Sequence, residues 1–257
     1  MAARKNARSL PAATPARGTS GKLPRRNRLN LSGQAYDRLE ELIVTSTLKP
    51  GLFLSIQDLQ QVTGVGRTPI YQAISRLAAD TLVIIRPRHG LQIAPIDLAR
   101  ERTLLQLRRD LERFVVRLAT ERAAPSHRNQ ILHIGRVLRD RADEISIGEF
   151  NQLDRRIDHV LTAAAGEPFL ETTLRPLHTI FRRIGWIYHS WIAPDEGIGQ
   201  TVDCHRAILD AVADRRAERA VDAADRLVEF NARMIASIER RCDPALLDCN
   251  QELQTAG

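Results

Sequence analysis

Aromatic residues are scarce, at 4% of a chain that is 43% hydrophobic overall. Its cores must therefore be packed mainly from Leu, Ile, Val and Ala, a composition suited to helices. Long apolar runs are missing as well. No stretch approaches the roughly eighteen consecutive apolar residues of a membrane span, and no apolar run near the N-terminus resembles a secretory signal. Cysteine is limited to Cys204, Cys242 and Cys249, an odd number without zinc-type pair spacing. That argues against a disulfide framework and points to a reducing cytoplasm, with no membrane as partner. The chain also lacks a Gly-rich phosphate loop, an H-E-x-x-H zinc motif and a recognisable nucleophile–base pair.

Acidic residues are absent from residues 1 to 28, which hold Arg4, Lys5, Arg8, Arg17, Lys22, Arg25, Arg26 and Arg28. The net charge of +7 therefore resides in this arm, and the rest of the chain is close to neutral. Rich in Ala, Gly, Ser and Pro, the arm has too little apolar content to fold alone and is expected to be disordered. It reads either as a contact to DNA phosphates, which adds affinity without sequence information, or as a plain solvated tail.

The 257-residue chain has room for two domains of ordinary size. In SGQAYDRLEELI, Tyr36, Leu39 and Ile43 have helical spacing behind a possible Ser32 cap, and LKPG at residues 48–51 stops that helix. SIQDLQQV follows as a short helix with Ser55 and Asp58 at capping-box positions. After the TGVG turn, Ile70, Ala73, Ile74 and Leu77 recur at i, i+3, i+4, i+7 and predict a buried stripe. Thr68 is expected to cap this helix and Pro69 to take its first position. Arg67 then stands at the helix mouth, while Tyr71, Gln72, Ser75 and Arg76 point outward. A helix with a positive end and long hydrogen-bonding side chains suits a DNA major groove. LVIIRPRHGLQI, residues 82–93, reads as two strands around a tight turn. A hairpin behind a helix-turn-helix is a wing, with Arg88, His89 and Gly90 at its tip.

From about residue 98 the pattern is helical throughout. Leu104, Leu107, Leu111, Phe114/Val115 and Leu118 form a long stripe ending before Pro125. Further helical stretches fall near 126–142, 148–165, 167–191, 200–214 and 217–240, giving six antiparallel-capable helices. The fold class expected is mainly α: a winged helix-turn-helix at 29–97, an all-helical bundle at 98–242, and a tail at 243–257.

The segment YDRLEELIVTSTLKPGLFLSIQDLQQVTGVGRTPIYQAISRLAADTLV resembles the winged-helix domain of GntR-type bacterial transcription regulators. LRRDLERFVVRLA and LDRRIDHVLTAAAGEPFL resemble the opening helix and central motif of the FCD effector-binding domain of the FadR subgroup. The resemblance covers about residues 30 to 240. It implies a homodimeric repressor or activator, resident in the cytoplasm, that binds a palindromic double-stranded operator and responds to a small organic acid. It also implies DNA contacts at Arg67, Thr68, His89 and Gly90. Two positions depart from the family: Tyr71 stands where an arginine is usual, and Gln57 where some relatives carry a basic residue. Both shift the DNA interface from charged to polar.

The same resemblance implies a divalent metal in the bundle, held by an Asp and a His on one helix and by a His from each of two later helices. Here Asp154 and His205 match two ligands, Asp158 replaces the first His, and Leu227 occupies the fourth position. Asp225 and Asn231 are nearby substitutes for the missing ligand, and Arg108 is a natural partner for an effector carboxylate. Three readings of Asp154, Asp158 and His205 stand: rim charges beside a core histidine, a metal-containing pocket, or a metal-free polar pocket. Two other functions compete with the regulator, a DNA-architectural protein without effector and a metal-dependent hydrolase built on those three residues. The aromatic-rich helix around Phe181, Trp186, Tyr188 and Trp191 is read chiefly as core and pocket wall. His159, His178 and His189 are assigned no chemistry.

Overall fold

Ile70, Ala73, Ile74 and Leu77 are all buried, so the stripe read from the sequence is the inner face of a helix. The computed structural model describes residues 25–88, 90–142 and 144–250. The expected roles of the basic arm up to residue 24 and of His89 lie outside the described residues. The chain divides into two compact units, one built from residues up to Ile43 with Thr47–Ala94, the other from Pro95 onward with Val44–Ser46.

In the first unit, α1 spans Arg25–Val44. Ser32 is buried inside it rather than capping it, because no proline interrupts the chain between Pro24 and Pro50 and the helix runs through. Ala35, Tyr36, Leu39, Leu42 and Ile43 supply its core face. The Tyr36 hydroxyl donates to Asp80 at 2.7 Å, and the Arg76 guanidinium lies 4.2 Å from the centre of the Tyr36 ring.

Helix α2, Ile56–Thr63, opens on the expected reciprocal box: Ser55 accepts from the Asp58 N–H, and Asp58 accepts from the Ser55 N–H. Gly64 ends it in the left-handed region at φ +68, its N–H donating to the Gln60 carbonyl at 2.9 Å. Helix α3 is Arg67–Ala79, and its cap is Gly66 with extended backbone and no side-chain hydrogen bond. Thr68 is thus a first-turn residue and not the cap, and Pro69 follows it. Both are tolerated there because the first four N–H groups of a helix have no partner within it.

The wing is a three-stranded antiparallel sheet, not the two-stranded one expected. Strand β2, Val83–Arg86, pairs with β3, Gly90–Ile93, and the two-residue β1, Phe53–Leu54, pairs with the other edge of β3. Gly90 has φ +88, and a Cβ placed there would lie 2.8 Å from the Leu54 carbonyl oxygen. Only glycine fits that conformation and that approach.

The second unit contains six long helices: α4 (Leu98–Arg122), α5 (Pro125–Asp140), α6 (Ile147–Ala165), α7 (Pro168–Ile187), α8 (Gly199–Ala213) and α9 (Ala217–Arg241). Asp97 caps α4, and Ser146 with Glu149 forms a capping box on α6. Helix α4 packs on α6 and α9, and α8 packs between α5 and α9. Val115, Val116, Ala119, Ile157, Val160, Leu209 and Val212 belong to the shared core. The inner face of α4 is rotated from the leucine stripe: Leu105, Arg108, Glu112, Val115 and Val116 are buried, whereas Leu107 and Phe114 are 50% and 52% exposed. Leu104, Leu111 and Leu118 sit at the edge, packed partly on the core.

Helix α7 runs on into a π-helical turn at Tyr188–Ile192, a widened turn that is common near functional sites. A short helix, α10 (Pro244–Leu247), begins the expected tail, and the Leu247 carbonyl accepts from the Ile96 N–H at 2.9 Å. Among the described residues no helix is long and apolar enough to cross a membrane.

Candidate functional site

The first unit exposes the start of α3. Arg67, Thr68, Tyr71, Gln72 and Ser75 face solvent, as Gln57 does on α2 and Gly90 on the wing. Because α3 repeats every 3.6 residues, Arg67 and Tyr71 share a face. The Arg67 guanidinium donates to the Tyr71 hydroxyl at 3.3 Å and lies 5.5 Å from the ring centre. Tyr71 therefore holds the Arg67 side chain through both its hydroxyl and its ring.

In the bundle, α4, α6, α7, α8 and α9 converge on a small cleft of about 40 Å³. All four expected effector residues are buried or half-buried near it, and Arg108, Asp154 and His205 line it directly. His205 donates from Nδ1 to the Thr201 carbonyl at 2.7 Å, and its Nε2 faces Asp154 Oδ1 at 3.0 Å. Since both ring nitrogens face acceptors, the ring holds two protons. Burial opposes that charge, but Asp154 outweighs it and the His205 pKa is raised. Asp154 is correspondingly held well below the usual carboxylate range: burial pushes it up, and His205, Arg182 and Arg108 overcome the push.

Sequence reasoning missed the second half of this network. His178 places Nε2 at 2.9 Å from Glu112 and Nδ1 at 3.3 Å from Asp158, so it too is flanked by acceptors on both sides. Its pKa is raised against the burial penalty by Asp158 and Glu112. Arg182 reaches Asp158 at 3.4 Å and the Thr179 hydroxyl at 3.0 Å. Arg108 donates from Nε to Glu112 at 3.0 Å, with its guanidinium 5.0 Å from the centre of the Phe181 ring. Glu112 is held down at about 2 despite burial, by His178 and Arg108. Asp158 is the exception: burial raises it to about 6, with His178 and Arg182 pulling against Asp154 and Glu112.

Asp154 and Asp158 are thus not rim charges. Each needs a cation, and each has one on another helix. The overlooked signal was a pairing of patterns: acids four apart on α6 and cations, His178 and Arg182, four apart on α7. The other assignments divide. Asn231 lines the cleft, with its side-chain amide nitrogen buried and unpartnered, and so does Leu227. Asp225 instead makes a two-pronged ion pair with Arg113 at 2.7 and 2.8 Å. His159 is exposed beside Glu171, while His189 lines the cleft and bonds the Thr201 hydroxyl at 2.8 Å. Of the four aromatics expected as core and pocket wall, Phe181 lines the cleft, Trp186 and Tyr188 are half-buried away from it, and Trp191 is exposed; Phe230 on α9 completes the apolar wall.

A divalent metal does not fit this donor set. Asp154 and His205 close on each other, Asp158 is turned to His178 and Arg182, and Leu227 has no donor atom. Two protein ligands fall short of the three or four that hold a catalytic or structural ion. Among the described residues no group of three or more His, Cys, Asp or Glu side chains is placed to hold one.

A winged helix joined to an all-helical bundle with a buried polar cleft is the architecture of a two-module DNA-binding regulator. Residues 31–93 match the family of bacterial regulatory proteins of the gntR type, and residues 103–230 match the FCD domain. The chain belongs to the GntR family of DNA-binding transcription regulators, in the branch that carries an FCD domain. It is 27% identical to the HTH-type transcriptional repressor RspR of Escherichia coli K12 over 166 residues, 63% of this chain and 72% of that one. It is likewise 27% identical to the Nta operon transcriptional regulator of Aminobacter aminovorans over 146 residues, 57% and 69% of the two chains. Among solved structures it resembles E. coli McbR/YncC, with a TM-score of 0.70 and 17% identity over 81% of this chain and 98% of the other. A GntR regulator structure from Rhodococcus sp. RHA1 follows at 0.61 and 18%, covering 80% and 98%. These families and relatives are regulators and not enzymes, so the hydrolase reading falls.

Proposed function

We propose that the protein is a homodimeric, ligand-responsive regulator that binds a two-fold symmetric operator through α3 and the wing, with a small organic acid in the bundle cleft tuning that binding. The observation that carries the reading is the cleft itself: a buried polar network around space for a ligand, in a chain whose other unit is a DNA-reading module. Arg67, Thr68, Tyr71 and Gln57 are assigned to DNA on the ground that they are exposed on α2 and α3. Gly90, and His89 beside it, are assigned to the backbone contact of the wing. Arg108, Asp154, Asp158 and His205 are assigned to the effector site.

A second copy is supported by α4. Leu104, Leu107, Leu111, Phe114 and Leu118 recur at alternating three- and four-residue steps, a seam pattern for helix pairing, and Leu107 and Phe114 in it are exposed. An architectural protein without effector explains the winged helix equally well, but leaves the charged cleft without purpose.

Footprinting on the DNA upstream of the protein's own gene, at near-physiological salt with competitor DNA, tests the reading. A protected, roughly symmetric site is expected, and Arg67→Ala should cost roughly 1–3 kcal/mol per site with fold and dimer intact. Weak protection everywhere that vanishes as salt rises would favour the architectural protein. Full operator affinity in Arg67→Ala would remove α3 from the groove.

A further inference from the structure

We propose that Arg86 grips a phosphate of the DNA backbone, and that the buried Gln92 is the positioning residue that fixes its guanidinium for that contact. This goes beyond the assignment of His89 and Gly90 to the wing, and rests on the wing meeting DNA.

The strand register brings the two side chains together. Arg86 lies opposite Gly90 and Ile84 opposite Gln92, so Arg86 and Gln92 are diagonal neighbours across β2 and β3. Side chains alternate along a strand, which puts Arg86, Ile84 and Gln92 on one face with Phe53 of β1. Gly90 has no side chain with which to cover Arg86 from the opposite strand. Gln92 is 6% exposed between Phe53 and Ile84, and a buried amide must find partners at both ends. Its nitrogen donates to the Gly51 carbonyl at 3.4 Å, and its oxygen accepts from Arg86 Nε at 3.1 Å. The amide can be turned only this way, because Nε only donates and a carbonyl only accepts.

Arg86 itself is exposed. With Nε committed, its two terminal nitrogens are left as a fork in a fixed plane, the geometry that matches a phosphate. Among the described residues no carboxylate pairs with it. The hairpin at residues 82–93 contains no acidic residue, and Arg88 stands exposed two positions further on. An unpaired, oriented cation on an acid-free hairpin suits the anionic backbone of DNA, the partner that defines this family. A free arginine loses rotamer freedom on binding, whereas one held by Gln92 has already lost it on folding.

The test is fluorescence anisotropy of the full chain on two labelled duplexes of equal length, across a range of salt. One duplex is of mixed sequence, the other carries the site protected upstream of the protein's own gene. Melting curves check that each variant folds. Arg86→Ala should weaken binding to both duplexes and lower the salt slope by about one per wing engaged, since a phosphate contact is blind to sequence. Arg136→Ala, at an exposed arginine of α5, controls for net charge and should leave the slope alone. Gln92→Met puts an apolar side chain of similar length in the buried site. It should keep the slope but bind about three- to tenfold more weakly, because Arg86 must then be ordered on binding. In an Arg86→Ala background the same change should have no effect. Arg86→Lys keeps the charge but cannot bond Gln92 and present a fork at once, so it should match Gln92→Met. Being exposed, it tests the positioning even where Gln92→Met fails to fold.

An unchanged salt slope in Arg86→Ala would remove Arg86 from the DNA, and a loss confined to the protected site would overturn the phosphate contact. Equal weakening by Gln92→Met with and without Arg86 would make Gln92 a structural residue only. Wild-type affinity in Arg86→Lys would overturn the positioning. Absence of any protected site would sink the operator reading alone, since the mixed-sequence duplex still reports on Arg86.

Discussion

Replacing Glu112 by glutamine keeps the shape of the side chain and removes the charge at the junction of Arg108 and His178. The structure sets the size of the effect. A carboxyl held at about 2 instead of its ordinary 4.5 prefers its ionised form in the folded protein by roughly 3 kcal/mol. Breaking one member of a buried ion pair costs about the same, roughly 3–5 kcal/mol, because the partner is left buried and unbalanced. In a chain of this size that is a fall of roughly 6–12 °C in melting temperature at pH 7. The sign with pH is fixed too. A depressed carboxyl stabilises the fold above its unfolded value, and that contribution is lost as pH falls from 4.5 toward 2. The gap between wild type and Glu112→Gln should therefore be widest near neutrality and close below pH 4.5. Calorimetric melts across that range measure it. A second readout is the His178 ring in a ¹H–¹⁵N titration: without Glu112 its pKa should drop toward the ordinary 6.5. A loss under about 1 kcal/mol at pH 7, well below the worked value, or a gap independent of pH, would refute the reasoning.

Glu101, in the first turn of α4, moves the opposite way: burial pushes it up to about 7, against the pull of Arg100 and Arg183. A raised carboxyl stabilises the fold when protonated and loses that contribution as pH climbs through 7. Melting temperature should then fall between about pH 4.5 and pH 7, with His178 and His205 carrying the fall on above pH 6.5, and Glu101→Gln should flatten the part below pH 7; an unchanged slope there would place the titration elsewhere. The proposed pairing through α4 predicts that Phe114→Asp, on its outer face, shifts the protein toward monomer in light scattering while leaving the melt of dilute protein nearly unchanged. A dimer untouched by it would put the second copy on another face.

Much of the first unit was legible because local chemistry decides it. The Ser55–Asp58 box, the stripe from Ile70 to Leu77 and the turn before Gly90 are each written within a few residues. What escaped was structure decided at a distance. Strand β1 is two residues long and exists only because β3 has a free edge beside it. The start of α3 went to Gly66 instead of Thr68, since the backbone enters the helix without needing a side-chain oxygen. On α4 the leucines pointed to the wrong face: Arg108 and Glu112 are buried, and their polarity disguises the inner stripe. The candidate site divides along the same line. Asp154 and His205 were found from single positions, whereas His178 and Arg182 gain meaning only opposite Glu112 and Asp158, sixty-six and twenty-four residues away. No periodicity within one helix encodes such pairings.

Gly90 sets a boundary on how this protein can change over generations. Any side chain there must meet the Leu54 carbonyl at 2.8 Å and adopt a backbone that other residues resist. Arg88, two residues earlier, is exposed and also holds a left-handed backbone, at φ +67. Drift toward a new DNA partner is therefore channelled: the exposed side chains of α2 and α3 can vary in charge and length, while the glycine that pins β3 against β1 stays put. Those side chains are a replaceable bit in a fixed chuck.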